Sequence, residues 1–308
     1  MGKKILSSII LILILLSSTF VYATDEEIPT KYDLRDEINI KVENQGNKDW
    51  CSYYAETKMI ETYLQKTKGL SYDLSEGYLA NWSKFNGTYG KQVLESDFPT
   101  KEYIVNETNQ KKFNEATSKA VVNSFEYEMS FDKNVETVKK YIINYGGAFA
   151  TIKCDKQMDN YKGGIYSSNK ITESRGIHGV VIIGWDNNYS KDNFVYEKPE
   201  TDGAWLILNS WGSNWGNNGT AWVSYENCNN LLSNCYGIES LTLANGEIIE
   251  TKLEDEKQET TEIPVIEQQE VKETNKINDV QNIFIVIFAV ACILLIIGLI
   301  LNLKRHKK

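Results

Sequence analysis

The chemistry open to this chain rests on one cysteine, one histidine and a tryptophan-rich turn. Cys51 lies in Val42-Glu43-Asn44-Gln45-Gly46-Asn47-Lys48-Asp49-Trp50-Cys51-Ser52-Tyr53-Tyr54-Ala55, where a pattern of helical spacing begins. A helix N-terminus stabilises anions, so it lowers a thiol pKa and favours the nucleophilic thiolate. Taken alone, a cysteine in that place also reads as an ordinary buried residue. There are two histidines, and His306 belongs to a basic C-terminal cluster, so imidazole chemistry in the folded part must use His178. The same scarcity excludes a multi-histidine metal site. His178 opens the apolar run Gly179-Val180-Val181-Ile182-Ile183, where a hydrogen-bonded core residue is the plain explanation. The third segment is Gly203-Ala204-Trp205-Leu206-Ile207-Leu208-Asn209-Ser210-Trp211-Gly212-Ser213-Asn214-Trp215-Gly216. Its two Trp-Gly pairs stand four residues apart, a pattern that packing turns also produce.

Two kinds of element must position these residues. From Cys51, apolar Ala55, Met59, Ile60, Tyr63 and Leu64 recur at helical spacing, and the pattern stops near Gly69. A second helix is predicted from Asp132, a good N-cap, through Val135, Val138, Tyr141 and Ile142 to Gly146-Gly147. The pattern then turns to strands over 148–152, 178–184, 204–209 and 221–225, separated by Gly/Asn-rich turns. Helices first and strands later predict an α+β fold of two subdomains with a cleft between them.

Composition narrows the function classes. Of 308 residues, 42% are hydrophobic and 24% charged, enough to bury a core. A formal net charge of −9 argues against a nucleic-acid binder. Residues 1–23 read as a signal peptide, with Lys3 and Lys4 ahead of an apolar run and Val21-Tyr22-Ala23 at the cleavage positions. Residues 283–301 form a run of 19 without a charge, followed by Lys304-Arg305-His306-Lys307-Lys308. This predicts a transmembrane helix over 282–303, an extracellular folded domain and a cytoplasmic basic tail, 304–308. Between the ends, 24–245 is the expected domain and 246–281, net −7, an acidic tether with too little to bury.

Read in order, the segments resemble the papain-like cysteine proteases. Ile28-Pro29-Thr30-Lys31-Tyr32-Asp33-Leu34-Arg35 looks like the family's mature N-terminus, and Gln45-Gly46 stands six residues before Cys51. Leu74-Ser75-Glu76-Gly77-Tyr78-Leu79 is similar to the segment after the nucleophile helix, and Tyr161-Lys162-Gly163-Gly164-Ile165-Tyr166 to the one before the histidine. The most specific match is Asn209-Ser210-Trp211-Gly212 with Trp215-Gly216-Asn217-Asn218-Gly219. The resemblance implies a helical left subdomain, a β-barrel-like right subdomain and an active-site cleft between them. It implies a cofactor-free endopeptidase acting on polypeptides. Cys51 would attack as thiolate, and His178 would keep it ionised and protonate the leaving amine. Asn209 would fix the imidazole, with Trp211 covering that bond. The Gln45 side chain and the Cys51 N–H would form the oxyanion hole, where one lost donor costs roughly 10²–10³ in rate.

The departures from the family are specific. Lys48-Asp49-Trp50-Cys51-Ser52 stands where Cys-Gly-Ser-Cys-Trp is usual, so a disulfide partner and two small residues are replaced. An Asp49 carboxylate near the thiolate would raise its pKa, and a Trp50 indole in the cleft would narrow it. Ile177 precedes the histidine where an acidic or amide residue is common. Asn86-Gly87-Thr88-Tyr89-Gly90 is a weak counterpart of the glycine pair that lines the non-prime subsites. With Thr24 to Glu27 alone between the expected cleavage site and the family-like start, there is no room for an N-terminal propeptide. Restraint would then fall to localisation, redox state or a separate protein inhibitor. Cys292 lies in the expected span, and Cys154, Cys228 and Cys235 leave three disulfide pairings open. Two other readings stay open: a surface binding protein of this fold with weakened catalysis, and an acyltransferase or amidase using the same residues.

Overall fold

A computed structural model describes residues 27–86, 90–102, 105–128, 131, 134–165, 176–227 and 231–252. Its helices of two turns or more are α1 (Cys51–Lys68), α2 (Glu76–Asn86), α3 (Gln110–Thr117) and α4 (Val135–Tyr145). Its strands are β1 (Lys31–Asp33), β2 (Val122–Glu128), β3 (Ala148–Lys153), β4 (Ile177–Asp186), β5 (Ala204–Leu208), β6 (Thr220–Ser224), β7 (Gly237–Leu243) and β8 (Ile248–Glu250). The class is α+β, as expected.

The central helix, α1, is buried at every residue from Tyr54 to Leu64. A helix covered on all faces lies between layers rather than on top of one. It stops at Gly69, whose φ of +67° lets its N–H reach back to the carbonyls of Leu64 and Gln65. Lys66 and Lys68 in the last turn face the negative end of the helix dipole. On one side, Met59, Ile60, Tyr63 and Leu64 join the main core with Val138, Ile142, Val181, Ile183 and Trp205. A second cluster, Tyr78, Val93, Phe98, Phe113 and Ala116, forms under α2 and α3.

The main sheet is antiparallel and centred on β4. β3 runs beside its first half, in the register Ile152 opposite His178, and β1 beside its end, Trp185 opposite Tyr32. β5 lines the other edge and β6 follows, giving the order β1-β4-β5-β6 with β3 also on β4. β2, β7 and β8 form a second, three-stranded sheet.

Several sequence expectations shift. The cap of α4 is Asn134, whose side chain accepts from the N–H groups of Glu136 and Thr137; Asp132 lies outside the described residues. The folded unit passes the expected end at residue 245. β8 pairs with β7, Ile249 is buried, and Lys252 hydrogen-bonds the Tyr145 hydroxyl at 2.8 Å. The tether's first residues therefore belong to the sheet, and the apolar pair Ile248-Ile249 was the local sign of it. The signal peptide, the rest of the tether, the apolar run and the basic tail lie outside the described residues. Among the described residues, no helix is long and apolar enough to cross a membrane.

Two carboxyls in this core make stability depend on pH. Glu56 on α1 is 2% exposed and accepts from the Tyr236 hydroxyl at 3.1 Å; Glu76 on α2 is 5% exposed and accepts from Thr100 Oγ1 at 2.9 Å. Burial pushes both up to about 8. The unfolded chain ionises them near 4.5, so the folded state holds more protons than the unfolded state between pH 4.5 and 8. Their contribution is present below about pH 4.5 and is lost as pH rises towards 8. In thermal melts the Glu56→Gln, Glu76→Gln double variant should show a shallower fall in Tm across that window than wild type. Parallel curves would refute the assignment.

Candidate active site

Cys51 is the first residue of α1, and the helix start is unencumbered. Trp50 occupies the cap position without a side-chain cap bond, and the first turn holds no acidic residue. The positive end of the dipole therefore acts on the half-buried thiol undiluted. What lets that helix end approach the sheet is Gly179 on β4. A Cβ there would lie 3.1 Å from the carbonyl carbon and oxygen of Cys51 and 3.2 Å from Ser52 Cα. A glycine inside an apolar strand marks such a close backbone approach. The neighbouring residue, His178, is 4% exposed and is thereby set beside the thiol.

Burial pushes the Cys51 thiol up. Hydrogen bonding from His178 and the Gly179 backbone, the His178 charge and the Ser52 backbone outweigh it, and the thiol is held at about 7. Asp49 is exposed and not among these leading influences.

The far side of the imidazole is fixed by Asn209, at the end of β5. His178 Nε2 lies 2.7 Å from Asn209 Oδ1. The Ser210 backbone N–H donates to that same oxygen at 2.7 Å. A backbone N–H can only donate, so the atom it meets is the carbonyl oxygen, and His178 Nε2 must carry the proton. Nδ1 is left for the thiol, where it can take and return a proton. Trp211 packs over the imidazole, with ring centroids 4.9 Å apart, and Trp215 meets Trp211 edge-on at 5.5 Å.

Gln45 reaches the site from another loop, strapped antiparallel to the Asn209 loop. The Gln45 N–H donates to the Ser210 carbonyl at 2.8 Å, and the Gly212 N–H to the Glu43 carbonyl at 2.9 Å. The buried Gln45 amide is oriented by two further bonds. Nε2 donates to the Lys48 carbonyl at 2.7 Å, and Ser210 Oγ donates to Oε1 at 2.5 Å. A primary amide has two N–H groups, so one remains for an oxyanion. Cys51, His178, Asn209, Gln45 and Trp211 are thus gathered at one place from four segments.

The unusual residues before the nucleophile have contacts of their own. The Trp50 ring meets Tyr53 edge-on at 6.1 Å, and the Lys48 ammonium lies 5.4 Å over it. Ile177 is 71% exposed at the rim beside His178. Residues 87–89 of the weak glycine-pair counterpart, and Cys228 of the open disulfide pairings, lie outside the described residues. Sequence reasoning missed Gly179 and Ser210. The first was signalled by a glycine breaking an apolar strand, the second by a hydroxyl adjoining Asn209. In Gly179→Val, where the branched side chain would meet the Cys51 backbone, alkylation of Cys51 at neutral pH should slow at least about tenfold with the fold retained by circular dichroism. Wild-type alkylation would show that the close approach does not position the thiol.

Residues 28–244 match the family model described as papain family cysteine protease. Among curated proteins, the chain is 28% identical over 193 residues to mouse cathepsin R, covering 57% of this chain and 54% of the relative. Among solved structures it is similar to the cysteine protease and lectin-like domains of Cwp84, a surface layer associated protein of Clostridium difficile. There the identity is 27% and the TM-score 0.57, over 70% of this chain and 52% of that one. Digestive procathepsin L 3 of Tenebrio molitor shares the fold at 18% identity and a TM-score of 0.52, over 70% and 72% of the two chains. The chain thus spans about half the length of cathepsin R and of the Cwp84 structure. With the family match covering most of its length, the chain belongs to the papain family of cysteine proteases.

Proposed function

We propose that this chain is a cysteine endopeptidase that cuts polypeptides through Cys51. The observation that carries the reading is the His178 ring, set beside the Cys51 thiol and held at Nε2 by Asn209 Oδ1. The thiolate attacks the scissile carbonyl carbon, and the carbonyl oxygen becomes an oxyanion facing the Cys51 N–H and the Gln45 amide. The His178 imidazolium gives its Nδ1 proton to the leaving amine as the C–N bond breaks. His178 then takes a proton from water, which attacks the thioester, releases the acid product and restores the thiol pair. Asn209 keeps the ring in register through both half-reactions, and Trp211 shields that hydrogen bond from water.

Cys51→Ala should lower turnover of an unstructured protein substrate by roughly 10³-fold or more, with the melting temperature little changed. An Ala variant with wild-type turnover would remove Cys51 from the mechanism. Substrate cut slowly but joined efficiently to added amines would favour acyl transfer over hydrolysis.

The same reading puts the domain on the cell surface, held by the 282–303 span with the basic tail inside. It is supported by the uncharged 19-residue run, the cationic flank and the likeness to a protein described as surface layer associated. Protease shaving of intact cells should release a soluble active fragment cut in the acidic segment. Full-length chain in the culture medium would overturn the anchor.

A further inference from the structure

Behind the site, between α1 and strands β4 and β5, lies a small cavity lined by Glu43, Tyr54, Lys58, Gly179, Asn209 and Ser210 among others. The space open to the centre of a water molecule is about 10 Å³, at the lower end of what a single buried water takes. Asn209 is 3% exposed, and its Oδ1 is doubly engaged by His178 and Ser210. Its Nδ2 is buried and has no hydrogen-bond partner among the described residues. A buried amide donor left unmet costs roughly 1–3 kcal/mol, so a partner at this site is expected. The opposite polarity is supplied by Glu43. Its Oε1 is shielded from solvent and has the Lys41 ammonium 3.0 Å away, which leaves a lone pair to spare.

Resting on the catalytic reading above, we propose that Glu43 is a positioning residue for Asn209, acting through one water held between Asn209 Nδ2 and Glu43 Oε1. The water accepts from Nδ2 and donates to the carboxylate. It fixes the amide from behind, so that Oδ1 stays turned to His178. Glu43 is placed for this by its own backbone, whose carbonyl accepts from Gly212 in the loop that carries Asn209. The acidic side chain thus belongs to the machinery although it touches neither thiol nor imidazole.

The test is a double-mutant cycle of Glu43→Met with Asn209→Ala. It is read by the pH dependence of Cys51 alkylation, which needs no substrate, and by kcat and KM on an unstructured protein. Glu43→Met keeps the volume and removes the acceptor. It should slow alkylation at neutral pH and lower kcat by roughly three- to tenfold, with KM unchanged. In the Asn209→Ala background it should have no further effect. Glu43→Gln, which keeps an acceptor oxygen, should recover most of the loss. Equal effects of Glu43→Met in both backgrounds, or none in wild type, would overturn the proposal. Should the chain alkylate at Cys51 yet hydrolyse nothing, the peptidase reading fails while the alkylation cycle still decides the Glu43 link. A crystal structure of the wild-type protein gives a check independent of any variant. Density for one water within hydrogen-bond distance of both atoms supports the link, and a cavity without such density refutes it.

Discussion

Everything in the site depends on how closely the first turn of α1 lies against β4. Two backbones meet there with no side chain between them, because Gly179 has none to interpose. That contact places the N-terminal end of a helix dipole, a backbone N–H and an imidazole around one sulfur atom. Burial alone would keep the thiol protonated; the His178 hydrogen bond and charge, with the Gly179 and Ser52 backbone N–H groups, outweigh it. The helix can be driven so far in because it is covered on all sides, by the sheet on one flank and by α2 and its loops on the other. Burial also carries a cost, seen in Glu56 on this helix and in Glu76 on α2, two carboxyls that the fold keeps protonated at pH values where a free carboxyl is ionised.

The second constraint is the strap between the Gln45 loop and the Asn209 loop. Its two backbone hydrogen bonds tie together loops more than 160 positions apart in sequence. Both amide side chains of the site also take a backbone partner. Ser210 N–H fixes the Asn209 amide, and the Lys48 carbonyl fixes the Gln45 amide. Side chains aimed this way lose little freedom when a charge develops between them, which is the condition for stabilising a transition state rather than a ground state.

The site was more legible in the sequence than the sheet that carries it. Cys51, His178, Asn209 and Gln45 sit in short motifs whose chemistry is local, and α1 announces itself by spacing and by Gly69. The strand runs at 148–152, 178–184, 204–209 and 221–225 were also readable, since a strand buried on both faces is a continuous apolar run. β2 and β7 were not. Val122 pairs with Leu243 and Phe125 with Leu241, so what makes them strands lies more than a hundred residues away. β8 was hidden for another reason: an acidic composition masked the Ile248-Ile249 pair that the sheet edge takes up. Asp49 and Trp50 stand apart from these. Their types suggest interference with the thiol, whereas the carboxylate is exposed and the indole meets Tyr53 edge-on with the Lys48 ammonium over its ring.

The central claim is that the packing of α1 on β4 creates a thiolate–imidazole pair, and the rate of Cys51 alkylation by iodoacetamide as a function of pH measures it most directly. In the wild-type chain the profile should rise with a midpoint at about 7, against about 8.5 for an ordinary thiol. Removing the imidazole in His178→Ala should carry the midpoint upward by at least about one unit. A wild-type midpoint at the ordinary value, or one that the His178→Ala substitution does not move, would contradict the account.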